Sequence, residues 1–222
     1  YLIDAQSLEV AAGLGFVHRD TVDRLGLPVD VAYGVTEVFE LALGCGLIYR
    51  DREVKDGNDQ DAGLGDLTIS GKFRLTTLDG ARPAQSLTPS IKVPTAEADR
   101  GLGTGETDYD LTWRASWEIG DVIGIHANLG FTLVGTEDDF SDKLHYGVAA
   151  DIEVVEGVKA VGELFAYDTF GDDVGEIWQY KVGANWKMAP GLTMDAAAGS
   201  KVSEGGPDFT ATIGLTWKIP PK

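Results

Sequence analysis

The chain has 222 residues, with 36 Asp and Glu set against 18 Lys and Arg, a formal charge of −18. That balance excludes nucleic acid as a partner, because the basic patch that phosphate binding demands is missing. Its single cysteine, Cys45, excludes an internal disulfide framework, a cysteine-rich zinc site and a CxxC redox pair.

From the amino terminus, Tyr1 stands in place of an initiator methionine and reads as a mature or trimmed end left by secretion. Residues 1–6 form a short extension. No Pro- or Ser-rich linker follows, so one domain over 1–222 is expected. Alternating segments then recur at 7–18, 25–35, 39–50, 65–76, 85–95, 107–118, 122–134, 144–154, 158–169, 176–188, 192–202 and 208–219. In the sixth, Tyr109, Leu111, Trp113, Ala115, Trp117 and Ile119 oppose Asp110, Thr112, Arg114, Ser116 and Glu118. In the seventh, Ile123, Ile125, Ala127, Leu129, Phe131 and Leu133 oppose His126, Asn128, Gly130 and Thr132, and the last repeats the pattern from Phe209 to Ile219. Most segments reach the roughly 9–11 residues of a tilted strand crossing a bilayer, well above the mode of about five or six in soluble proteins. The longest uncharged stretch, 122–136, is too short and too polar for a membrane helix, which needs about 18 apolar residues. The predicted fold is therefore all-β: a 12-stranded antiparallel up-and-down transmembrane β-barrel of an outer membrane.

The links support this by alternating in length. Short turns at 34–37, 118–121, 156–157 and 189–191 carry the Gly, Pro and acidic residues of tight hairpins and are expected at the periplasmic end. Longer links at 51–63, 96–106, 135–143, 171–175 and 203–207 are expected as outer loops, and only 77–84 is long for its class. Aromatic residues fall into two bands. Phe16, Tyr49, Tyr109, Tyr146, Trp178, Tyr180 and Phe209 map near the outer interface, and Tyr33, Phe39, Phe73, Trp117, Trp186 and Trp217 near the other. The expected surroundings are thus a lipid bilayer and lipopolysaccharide.

Alternate positions give the lumen. Its candidate lining is Asp66, Lys72, Arg74, Lys92, Asp110, Arg114, Glu118, Asp151, Glu163 and Lys181, with Asp66, Lys72, Arg74 and Arg114 the foremost. These charges either line a selective pore or pair into a network that fills it. Pro28, Pro89 and Pro94 fall inside strand segments, where each removes a ladder donor. A proline-linked bulge at Pro89 and Pro94 would open a lateral path to lipid; the alternative places these prolines at the rim. The outer links gather Asp51, Glu53, Asp56, Asp59, Asp61, Glu137, Asp138, Asp139, Asp142, Asp172 and Asp173, a setting for divalent cations, although the run from Asp56 lacks the rest of an EF-hand loop. An enzyme is not expected: no GxSxG elbow occurs, and Ser116 with His126 is the one nucleophile–base pairing the register allows, facing the lumen. No haem-attachment CxxCH occurs, so no cofactor is expected.

The stretches Leu27-Pro-Val-Asp-Val-Ala-Tyr-Gly-Val-Thr-Glu-Val-Phe-Glu-Leu, Gly63-Leu-Gly-Asp-Leu-Thr-Ile-Ser-Gly-Lys-Phe-Arg, Pro89-Ser-Ile-Lys-Val-Pro-Thr and Gly101-Leu-Gly-Thr-Gly-Glu-Thr-Asp-Tyr resemble a transporter-like family associated with the MetA pathway of phenol degradation. Hairpins from Gly124 onward are similar too. The resemblance implies an outer-membrane barrel of transport function and brings no catalytic residues. The sequence thus points to a channel or transporter for small, hydrophobic or aromatic solutes. The alternative is a structural barrel that docks a protein partner in a larger outer-membrane assembly.

Overall fold

Strands that alternate greasy and polar residues are stable in lipid only when no ladder edge is left bare. The chain meets this by closing on itself. The computed structural model describes residues 2–55, 57–120, 122–137, 139–170 and 175–221. Among them, thirteen antiparallel strands form one sheet: β1 (Leu8–Arg19), β2 (Val22–Thr36), β3 (Phe39–Val54), β4 (Gly57–Leu64), β5 (Leu67–Thr76), β6 (Ala84–Val93), β7 (Asp108–Ile119), β8 (Ile123–Gly135), β9 (Phe140–Val155), β10 (Val158–Thr169), β11 (Ile177–Ala189), β12 (Leu192–Lys201) and β13 (Phe209–Ile219). The first and last strands pair from Leu8↔Ile219 to His18↔Phe209, which seals the ring.

β4 and β5 share one flank of β3. Residues 47–54 of β3 pair with β4, and residues 39–44 pair with β5. The closed ring therefore counts twelve strands, with β4 as the outward continuation of β5.

Polar groups lie inside and apolar groups outside. Glu40, Ser86, Thr112, Asp151, Gln179 and Thr210 are buried, while Leu47, Leu111, Leu129, Val148, Val182 and Trp217 are about half exposed. The accessible surface is 13114 Å². A soluble monomer of this mass shows about 9,800 Å² by size scaling. The excess is the mark of a hollow wall whose apolar face awaits lipid.

Three expectations need correction. The link 51–63 is not a loop: its flanks join β3 and β4 into a projecting hairpin, with Arg50 held to Asp59 at 3.1 Å and to Asp61 at 3.0 Å. Charge pairs across the strands replace the greasy alternation by which a strand is usually read. The first outer link is also shorter than the segments at 7–18 and 25–35 imply, because β1 and β2 continue to a turn at Asp20 and Thr21. Pro89 makes no bulge: Ser70↔Ser90 and Phe73↔Leu87 keep one register on either side of it, Pro89 pairs with Leu111, and Pro94 follows the end of β6 at the rim. Of the turn and loop residues named above, Asp56, Asp121, Asp138 and 171–174 lie outside the described residues.

Candidate functional site

The candidate site is the interior, best followed from the outer mouth inward. Residues 94–107, between β6 and β7, fold over this mouth. They contain one short 3₁₀ turn, Ala98–Arg100, ended by Gly101 at φ 65°. Arg100 reaches Asp61 through Nε at 2.9 Å and donates to the Ala62 carbonyl at 3.0 Å, while Arg24 of β2 donates to the Gly101 carbonyl at 2.8 Å. The link thereby spans from β4 to β2. Hydrogen bonds to Asp61 and Glu97 push the Arg100 guanidinium pKa up from its ordinary value, so it stays charged. Leu102 is buried against Gly63, where an added Cβ would lie 2.7 Å from its Cδ1. Asp66 anchors the start of the link, accepting from the Ala96 N–H at 3.0 Å.

Lower down, inward-facing residues form two hydrogen-bonded groups. Asp110 accepts from Thr112 at 2.7 Å and Thr132 at 2.9 Å, and lies 2.7 Å from His145 Nε2. Asp151 lies 2.8 Å from His126 Nε2 and 2.6 Å from Lys159 Nζ, and His126 Nδ1 lies 2.9 Å from Ser116 Oγ. The sequence paired Ser116 with His126 and missed the carboxylate; its signal was the β8–β9 register, Gly124↔Asp151. Two lumen aromatics were also missed. Phe165 and Tyr167 lie on the Glu163 face of β10, with Lys181 Nζ 5.2 Å from the Phe165 centroid and Lys143 Nζ 4.3 Å from that of Tyr167.

At the periplasmic end, residues of the amino-terminal extension turn inward. The Ile3 N–H donates to Glu40 Oε2 at 3.0 Å, and Leu2 and Ile3 are buried. Leu2 lines a cavity of 250 Å³ together with Lys72, Arg74, Ser86, Arg114 and Ser116.

The candidate residues thus divide. Lys72, Arg74 and Arg114 share this cavity. Lys92 bonds Asp108 at 2.7 Å and stands 3.8 Å from Asp66. Asp110 and Asp151 belong to the histidine groups, Glu163 faces Lys181 across the β10–β11 pair, and Glu118 faces Gly124 near the lower turn. Among the aromatics, Tyr146 packs edge-on against Trp178 at 5.6 Å, Phe16 meets Phe209 at 6.3 Å, and Phe39 stacks on Phe73 at 4.7 Å. Tyr33, Tyr49, Tyr109, Trp186 and Trp217 are exposed on the outer surface, and Trp117 is partly covered there. Among the described residues no cluster of side chains has the form of a metal site.

One part of the wall is thin. The break between β4 and β5 at Gly65 and Asp66 leaves Cys45 and Gly46 of β3 without ladder partners on that side, apart from a Gly65 N–H to Gly46 carbonyl bond of 2.8 Å. On the other side Gly46 faces Pro28, which has no donor, and the β1–β2 pairing lapses between Ala12↔Val29 and Gly15↔Gly26. Cavities flank this span: 340 Å³ inside, bounded by Asp30 and Asp66, and 540 Å³ outside, bounded by Leu27, Leu43, Leu64 and Leu67.

A family model described as "Putative MetA-pathway of phenol degradation" matches residues 1–219. The crystal structure of the COG4313 outer membrane channel from Pseudomonas putida F1 superposes with a TM-score of 0.76 at 16% identity, covering 99% of this chain and 97% of that one. The NanC porin gives 0.65 at 10% identity, covering 96% and 100%, and the CymD monoaromatic hydrocarbon channel 0.54 at 8%, covering 97% and 88%. No curated protein matches. Likeness at these identities is likeness of fold: a closed outer-membrane β-barrel.

Proposed function

The chain belongs to the family of outer-membrane barrels named for the MetA pathway of phenol degradation, and from that premise we propose that it is a channel for small hydrophobic or aromatic solutes with a narrow, mixed-charge lumen. The observation that carries this reading is the thin span of β3 from Gly44 to Leu47, bounded by a lumen-side cavity and a strongly apolar one on the lipid side. A solute that prefers hydrocarbon to water gains little from a wet pore, and a short route through the wall toward the membrane suits it. Phe165 and Tyr167 offer ring faces inside. CymD, described as a monoaromatic hydrocarbon channel, shares the fold.

The test is uptake of radiolabelled toluene by a porin-deficient Gram-negative host that expresses the barrel. Uptake should rise several-fold over vector-only cells. Cys45→Trp, which fills the outer apolar cavity, should abolish most of the rise while leaving ion conductance in planar bilayers unchanged. Uptake no greater than in vector-only cells, with folded barrel in the outer membrane, would sink the reading.

A further inference from the structure

The cavity at the periplasmic end has a charge pattern unlike its surroundings. In a chain of net charge −18, its charged lining is wholly cationic: Lys72, Arg74 and Arg114. Two cations elsewhere inside have carboxylates at contact distance, Lys92 with Asp108 at 2.7 Å and Lys159 with Asp151 at 2.6 Å, while Lys143 and Lys181 lie over the Tyr167 and Phe165 rings. Among the described residues no ion pair joins Arg74 or Arg114 to a carboxylate. Arg114 gives one N–H to the Thr88 hydroxyl at 2.8 Å, its one side-chain hydrogen bond among the described residues, from a fork of five N–H donors. Glu40, which faces Lys72 across the β3–β5 pair, accepts from the Ile3 N–H.

Arg74 and Arg114 bring two like charges together on a partly desolvated wall, and a guanidinium fork is matched in geometry to a carboxylate. The Ser86 and Ser116 hydroxyls add donors beside the cations, and the Leu2 side chain supplies an apolar wall. The volume, 250 Å³, lies below the roughly 300–1,000 Å³ of sites for drug-sized ligands. One ring or a short alkyl body fits.

We propose that this cavity is a binding site for the carboxylate of a small monocarboxylic acid, seated on Arg74, Arg114 and Lys72 with its apolar body against Leu2. The proposal rests on the solute-channel reading and names the class of solute that pauses at its inner end. A neutral aromatic, which leaves through the wall toward lipid, does not use this station.

Calorimetric titration of the barrel in detergent micelles at pH 7 tests it, with benzoate and benzyl alcohol as paired probes of nearly equal shape. Benzoate should bind saturably and at least about tenfold more tightly than benzyl alcohol, the scale of a charge-assisted bond. The double variant Arg74→Gln and Arg114→Gln should lose about tenfold or more for benzoate and nothing for the alcohol. Arg114→Lys, which keeps the charge and removes the fork, should fall between and covers the case in which the double variant does not fold. Equal binding of the two probes, or benzoate affinity unchanged in folded Arg114→Lys and the double variant, overturns the proposal. Because the readout is binding in micelles, failure here leaves toluene uptake by cells standing, and failure of uptake leaves benzoate binding measurable.

Discussion

Asp208 ties together three parts of the outer rim. One of its oxygens lies 2.8 Å from Lys201 Nζ and the other accepts from the Asp20 N–H at 2.9 Å, across 188 residues of sequence. Asp20 sits at φ 53°, a conformation short polar residues tolerate, so its amide is turned toward a waiting acceptor. The Lys201 hydrogen bond, followed by that from Asp20, holds the Asp208 carboxyl below its usual value of about 3.9. A depressed folded value means that the stabilising effect is present above the unfolded value and is lost as pH falls through the folded one. Asp208→Asn should therefore lower the unfolding midpoint at pH 7, and the gap from wild type should close below about pH 4; denaturant titrations at pH 7 and pH 3 check it. At the other end, Glu40 holds the Ile3 amide inside the barrel. Glu40→Ala removes that acceptor from a buried donor, which costs about 1–3 kcal/mol locally. Single-channel recordings should then show larger or more frequently flickering steps than wild type; an identical trace would mean that residues 2 and 3 do not restrict the lumen.

At the scale of elements, the β3–β4 hairpin and the link that crosses the mouth act through each other. Asp61 on β4 is shared by Arg50 and Arg100, and Arg100 belongs to the crossing link. Arg100→Ala should free that link and raise ion conductance, while the loss of this solvent-facing pair has little effect on global stability. Conductance with a paired unfolding titration separates the two. This region also marks the limit of what the sequence discloses. Strands such as β8 and β13 are legible because one face is apolar at every alternate position, from Ile123 to Leu133 and from Phe209 to Ile219. β4, from Gly57 to Leu64, has acidic and amide side chains on a stretch held by cross-strand charges, and no period-two signal of hydrophobicity remains. The lumen groups were legible in part. Inward facing followed from alternation, so Lys72, Arg74 and Arg114 could be nominated singly. Their meeting in one cavity depends on the β5–β6 and β6–β7 registers, Arg74↔Ser86 and Ser86↔Arg114, which side-chain patterns do not specify to the residue.

Across the whole molecule one face of each strand meets lipid and the other the lumen, so adjacent residues separate the two. Val148 lies outward in mid-strand and Ala149 inward beside His126 and Glu163. Val148→Lys should destabilise the barrel in lipid vesicles by about 2–4 kcal/mol, the cost of a basic residue near the bilayer midplane, while Ala149→Lys should cost far less. Guanidinium unfolding in vesicles reads both; equal costs would mean a register wrong by one residue. The proposed function makes the lumen a narrow pathway whose selectivity its own charges set. It is tested most directly by single-channel conductance of the refolded barrel in a planar bilayer, for wild type and for the variant carrying Arg74→Ala with Arg114→Ala. Resolved steps are expected in wild type, with steps in the variant that are larger and shifted toward cations. An absence of steps in both, with protein shown to be folded, would contradict that function.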